Sequence, residues 1–168
     1  MDEIIRGSKT VLKPLEMKDV DMIVEWLQNP KVQSKCLNSD LYRKSKLKEW
    51  FHNKNNDEKR YILNTSDNKS IGNVFLTVND DVGYINIMIG DVIYGGKGYG
   101  KDAMKALVKY CFDELRLGSI EAVFSKNNVR AEYCCFSCGF KKYDTSMADN
   151  YSKDNYTMII NRKDYIGY

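Results

Sequence analysis

Tyr94-Gly95-Gly96-Lys97-Gly98-Tyr99-Gly100-Lys101 places four glycines between positions 95 and 100, at the junction of two unlike runs. Before it, Gly83 to Gly90 is uncharged and rich in β-branched side chains, which reads as a strand. After it, Met104, Leu107, Val108, Cys111 and Leu115 recur at helical spacing while Lys101, Lys105 and Lys109 turn away. Gly100 to Leu117 therefore reads as an amphipathic helix, with Gly118 as its stop. Glycine frees the backbone to turn left-handed and lets a ligand approach closely. A helix start adds unpaired N–H groups and the positive end of the helix dipole. Strand, glycine loop and helix together make an anion site suited to phosphate.

Spacing decides among the phosphate loops. Gly95, Gly100 and Lys101 fit the Walker A pattern, but Asp102 stands where a hydroxyl should hold Mg²⁺, and a carboxylate there would repel a triphosphate. The dinucleotide fingerprint fails as well, because Lys101 occupies the position of its third glycine. A merely flexible turn would not need so many glycines directly ahead of a helix.

Moving outward, Ile120 to Phe124 reads as a short buried strand, and Asn128 as the cap of a helix running to Cys138 and ended by Gly139. Strand–helix–strand order implies a right-handed crossover between parallel neighbours. Upstream, Tyr61 to Asn64 and Ile71 to Val78 flank the turn Ser66-Asp67-Asn68. A second turn at Asn79-Asp80-Asp81 leads into the central strand, so these three strands are antiparallel. Thr10 to Leu15 reads as an edge strand. Val20, Ile23, Val24 and Leu27 form a helix closed by Pro30, and Leu47, Trp50 and Phe51 a second one. Phe140 to Tyr143 and Tyr156 to Ile160 supply the last strands. The expectation is an α/β (α+β) fold: one mixed, mostly antiparallel seven-stranded sheet flanked by about four helices.

At 168 residues, with no internal repeat and only two prolines, the chain reads as a single domain over 1–168 with its core in about 10–162. Lys plus Arg at 26 against Asp plus Glu at 23, scattered along the chain, calls for neither nucleic acid nor a membrane surface as partner. No apolar run reaches the roughly 18 residues of a membrane span. Arg6 and Lys9 follow Asp2 and Glu3 with no apolar leader segment, so a cytoplasmic location is expected. The five cysteines lack scaffold spacing and are expected to be reduced. Cys135-Phe136-Ser137-Cys138 has the spacing of a redox or metal pair, but it lies at a helix end, where the dipole disfavours a thiolate. His52 is the sole histidine to complete a zinc set, so no metal is expected.

Ile87-Met88-Ile89-Gly90-Asp91, Tyr94, and Gly96-Lys97-Gly98-Tyr99-Gly100 with Ala103 closely resemble the central motif of the GNAT superfamily of N-acetyltransferases. Asn128-x-x-Ala131 followed by Cys138-Gly139-Phe140 is similar to that family's next motif. Leu12-x-Pro14-Leu15 and Trp26-x-x-Asn29-Pro30-x-Val32 look like the opening of its ribosomal-protein N-acetyltransferase branch. The resemblance implies transfer of an acetyl group from acetyl-CoA, without a metal, to a primary amine by direct attack in a ternary complex. The acceptor is left open between a protein N-terminus and a small-molecule amine such as a polyamine, amino sugar or drug. A monomer or homodimer is expected. The alternative is a CoA- or nucleotide-binding module without turnover.

By the same resemblance, backbone groups of Met88 and Ile89 bond the pantetheine arm and polarise the thioester. The N–H groups of Gly95, Gly96, Lys97, Gly98, Tyr99, Gly100 and Lys101 are expected to hold the pyrophosphate, and Asn128 to touch the cofactor as well as cap its helix. Cys135 stands where relatives carry a tyrosine acid. A thiol of pKa about 8.5 could return a proton to the similarly basic coenzyme thiolate at little cost, or could be a small core residue; Tyr133 is the neighbouring alternative. Tyr84 stands where some relatives carry a Glu. A water held by Tyr84, Asn86 or backbone carbonyls is expected to take the proton of an ammonium of pKa about 10.4. The acceptor is expected between the first two helices, the central strand and the loop from Asp144 to Asn155.

Overall fold

The computed structural model describes residues 3–36, 44–143 and 154–168. Eight strands form one sheet among them: β1 (Ile5–Arg6), β2 (Thr10–Pro14), β3 (Glu58–Thr65), β4 (Ser70–Asn79), β5 (Val82–Ile89), β6 (Ser119–Ser125), β7 (Lys141–Lys142) and β8 (Asn155–Asn161). Their order is β1-β2-β3-β4-β5-β6-β8-β7. Only β5 and β6 run parallel. The helix joining those two, α4 (Tyr99–Asp113), is the crossover that a parallel pair requires. The other α-helices are α1 (Val20–Leu27), α2 (Pro30–Gln33), α3 (Lys44–His52) and α5 (Val129–Ser137).

Three expectations change. Thr10–Pro14 is not an edge, because β1 pairs outside it through Ile5↔Leu12 and Arg6↔Val11. Pro30 starts a helix instead of closing one. It occupies the first helical position of α2, where a missing N–H costs nothing, and Asn29 Oδ1 accepts the Lys31 N–H at 3.0 Å. These two short elements raise the counts to eight strands and five α-helices among the described residues. Gly118 does not stop α4, which ends at Asp113; Arg116 takes the left-handed turn with φ 60°. Gly118 is there for contact. Its N–H meets Asp81 Oδ1 at 2.8 Å, and a Cβ would stand 2.0 Å from Asp81 Oδ2.

The sheet separates two cores. On one face α4 and α5 pack Leu107, Val108, Cys111, Phe112 and Cys135 against Ile85, Ile120, Met158 and Ile160. On the other, α1, α2 and α3 gather Val20, Ile23, Leu27, Val32 and Leu47, with Met88 packed against them. Alternation along β5 explains the division. Ile85, Ile87 and Ile89 face α4, so Tyr84, Asn86 and Met88 face the α1–α3 side.

Burial pushes the Cys111 and Cys135 thiols up to about 12. The folded-state value is the raised one, so the stability involved is intact below the ordinary thiol value of about 8.5 and is lost as pH climbs toward 12. In that interval the unfolded chain ionises its thiols while the folded chain holds its protons. The urea midpoint should therefore fall steadily from about pH 9 to 11, and less steeply in a Cys111→Ala, Cys135→Ala variant.

Candidate active site

Registered pairs between β5 and β6 run from Val82↔Ser119 to Ile85↔Ala122 and end there. Beyond that point β6 stays with β8 as far as Ser125↔Asn155, while β5 stays with β4 as far as Ile89↔Gly72. The two strands part, and Asn86 to Ile89 keep β4 on one side and no registered β6 partner on the other. Backbone groups on that open side need partners from elsewhere, which a bound ligand can supply. Met88 and Ile89, the residues expected to meet the pantetheine arm, lie in this gap.

The Ile89 side chain leads from the gap to the glycine loop: a Cβ on Gly100 would stand 3.9 Å from Ile89 Cγ1. On the opposite face Met88 Sδ lies 3.7 Å from Cys36 Sγ. Trp26 of α1 covers the end of the strand, and a Cβ on Gly90 would fall 2.2 Å from its ring. Gly90 and Asp91 donate to the Ile71 carbonyl at 2.9 and 3.1 Å, fixing the departure of the chain into the loop.

Gly96 and Gly98 have φ of 73° and 87°, which a side chain would strain. The first helical bond of α4 runs from Asp102 N–H to the Gly98 carbonyl at 3.0 Å. The N–H groups of Tyr99, Gly100 and Lys101 thus precede the ladder and face the mouth of the helix. This cradle fits a diphosphate.

Asp102, the residue that breaks the Walker pattern, turns away from the mouth. Its Oδ1 accepts from the Ser8 N–H at 3.1 Å, and its Oδ2 from the Lys9 N–H at 2.9 Å and the Thr10 hydroxyl at 2.7 Å. The β1–β2 turn is thereby tied to α4, and Lys9 Nζ donates to the Lys97 carbonyl at 2.8 Å. Lys97 stands over the Tyr94 ring, 5.9 Å from its centroid. Nothing in the sequence linked Lys9 to this loop 88 residues away.

Asn128 caps α5 as expected, Oδ1 accepting the Ala131 N–H at 3.2 Å. Cys135 lies in the core beneath it, 1% exposed, whereas Tyr133 is 75% exposed on the outer face. Burial holds the Cys135 thiol at about 12, above the ordinary thiol value, which disfavours proton return from it to a coenzyme thiolate near 8.5. Among the described residues no three His, Cys, Asp or Glu side chains gather to hold a metal.

On the α1–α3 face, Tyr84 is paired in register with Glu121 of β6. Glu121 is 7% exposed, and nothing in the sequence of a short apolar strand marks which face its charge occupies. Burial raises the Tyr84 phenol above its ordinary value, and the Glu121 carboxylate raises it further. Tyr84, Asn86 and Glu121 thus share the face below the gap. The loop segment 144–153, expected to cover the acceptor, lies outside the described residues.

Residues 9–141 match the acetyltransferase (GNAT) domain. The chain belongs to the GNAT family and is an acetyl-CoA-dependent N-acetyltransferase. Its fold is similar to a spermidine N-acetyltransferase from Vibrio cholerae in complex with CoA and spermine, with TM-score 0.80 and 22% identity over 96% of this chain and 100% of that one. A GNAT-family acetyltransferase from Bacillus anthracis aligns with TM-score 0.78 and 18% identity, over 96% and 99% of the two chains. A domain from Methanocaldococcus jannaschii aligns with TM-score 0.79 and 19% identity, over 91% and 98%. No curated protein matches the sequence. No helix among the described residues is long and apolar enough to cross a membrane.

Proposed function

We propose that this enzyme acetylates the primary amine of a small molecule or a protein N-terminus by direct attack within a ternary complex. The observation that carries the reading is the parting of β5 from β6 after Ile85↔Ala122, beside the open N–H groups of α4. Acetyl-CoA supplies an activated acyl carbon. The N–H groups from Gly96 to Lys101 hold its diphosphate, the Gly95 N–H expected among them being spent on the Val92 carbonyl at 3.1 Å; Asn128 adds a contact from α5, and the backbone of Met88 and Ile89 bonds the pantetheine arm and polarises the carbonyl. Holding both reactants in the gap replaces a bimolecular encounter with an oriented one.

The amine arrives from the α1–α3 side, where Tyr84, Asn86 and Glu121 lie. A lysine-like ammonium of pKa about 10.4 must lose its proton before attack, and a water held by these three groups takes it, Glu121 being the acceptor. Cys135 serves as a packing residue in this scheme, and the coenzyme sulfur regains its proton from solvent. A cationic polyamine suits an approach that ends at the Glu121 carboxylate, and the Vibrio cholerae neighbour is in complex with spermine.

Release of free thiol from acetyl-CoA across a panel of polyamines, amino sugars and peptide N-termini tests the reading. One or more amines should accelerate it; CoA binding without release by any amine would mark a module without turnover. With the accepted amine, Glu121→Gln should lower kcat about 100-fold at pH 7. The deficit should shrink above about pH 11, where most of the amine is already neutral. An equal deficit at all pH values would remove Glu121 from the proton path. Tyr84→Phe turning over like the wild type would remove Tyr84.

A further inference from the structure

Two cations from outside the glycine loop close on it from opposite sides. Arg130, in the first turn of α5, lays its guanidinium against Gly95 and Gly96. A Cβ on Gly95 would stand 2.9 Å from Nη1, and one on Gly96 3.7 Å from Cζ and 3.8 Å from Nη2. Any side chain at 95 would enter the space that the guanidinium fills. Among the described residues no ion pair or hydrogen bond engages that guanidinium. On the other side Lys9 Nζ sits 3.6 Å from where a Gly98 Cβ would be and 4.7 Å from the Tyr99 ring centroid, anchored by its bond to the Lys97 carbonyl. Asp102 holds the Lys9 backbone in place. Between the two cations lie Gly96, Lys97 and Gly98.

We propose that Arg130 and Lys9 are phosphate-binding residues that clamp the phosphate groups of acetyl-CoA from opposite sides of the glycine loop. The assignment rests on the reading of that loop as the CoA mouth. Backbone amides supply directional but uncharged donors. A guanidinium adds a planar fork that bonds two phosphate oxygens at once, and an ammonium adds a point charge. Asp102 is a positioning residue for Lys9.

The diphosphate and the 3′-phosphate of the coenzyme share this chemistry, so the test uses three probes: CoA and dephospho-CoA by titration calorimetry, and pantetheine by ligand-observed NMR. Both side chains are exposed, and the melting temperatures of ligand-free Arg130→Ala and Lys9→Ala check that the fold is unchanged. Arg130→Ala should bind CoA about 10- to 30-fold more weakly, and Lys9→Ala about 5- to 10-fold, with a shallower dependence on salt in each. Arg130→Lys should recover part of the loss. A loss with CoA and dephospho-CoA but not with pantetheine assigns the clamp to the diphosphate; a loss with CoA alone assigns it to the 3′-phosphate. Variants within twofold of the wild type for CoA, or equally weakened for pantetheine, overturn the clamp while leaving the transferase reading in place. A wild-type chain that takes up no CoA overturns both.

Discussion

Gly72→Ala should cut turnover about 100-fold and lower the melting temperature by roughly 3–10 °C. Gly72 lies on β4 opposite Ile89, and a Cβ there would stand 2.0 Å from the Met88 carbonyl oxygen, 3.1 Å from its carbon and 3.2 Å from Ile89 Cα. The obstacle is backbone, so no rotamer change relieves it. β5 must move by about an ångström, and overpacking of this kind costs ~1–3 kcal/mol. The part that moves is the open stretch proposed to align the thioester, where an ångström of misplacement costs about two orders of magnitude in rate. Thermal melts together with thiol-release kinetics separate the two effects. A variant that is destabilised but turns over normally would show that the Met88–Ile89 backbone does not position the reacting carbonyl.

Asp102→Ala should destabilise the fold by ~3 kcal/mol and weaken CoA binding about 10-fold, leaving kcat nearly unchanged. Three donors lose their acceptor at once: the N–H groups of Ser8 and Lys9 and the Thr10 hydroxyl. Each is a hydrogen bond to a charged group, worth ~1.5–3 kcal/mol when removed singly; the two N–H groups lie near solvent, so the sum stays well below three times that. The loss reaches the loop through Lys9, whose bond to the Lys97 carbonyl depends on the tethered β1–β2 turn. Denaturant unfolding and CoA calorimetry read the two effects independently. A full stability loss with wild-type CoA affinity would confine Asp102 to the fold.

Local chemistry made part of this legible in the sequence. The α4 and α5 helices carry their periodicity and their caps in contiguous residues, and the turns at Ser66-Asp67-Asn68 and Asn79-Asp80-Asp81 define β3, β4 and β5 within short range. Pro30 and Gly118 are ambiguous in the sequence because each residue has two uses. Proline both ends helices and begins them, and glycine both turns the chain and makes room for a neighbour. Whether Asp81 would approach Gly118 depends on strands 37 residues apart.

The features of the site that escaped sequence reading are relations between distant segments. The parting of β5 from β6 is a matter of register across the α4 crossover, and neither strand shows where pairing ends. Arg130 and Lys9 look like ordinary surface cations until the loop is folded between them. Along α5 the small Cys135 and Cys138 point inward while the larger Tyr133 and Phe136 point out, the reverse of an ordering by hydrophobic size. That orientation makes Cys135 a core thiol. Glu121 lies on the α1–α3 face only because Ala122 and Ile120 take the α4 side.

A crystal structure of the enzyme with bound CoA bears most directly on the central claim. The diphosphate should lie within hydrogen-bonding distance of the N–H groups between Gly96 and Lys101, with the sulfur in the gap where β5 leaves β6. CoA seated elsewhere, with that mouth holding only water, would contradict it.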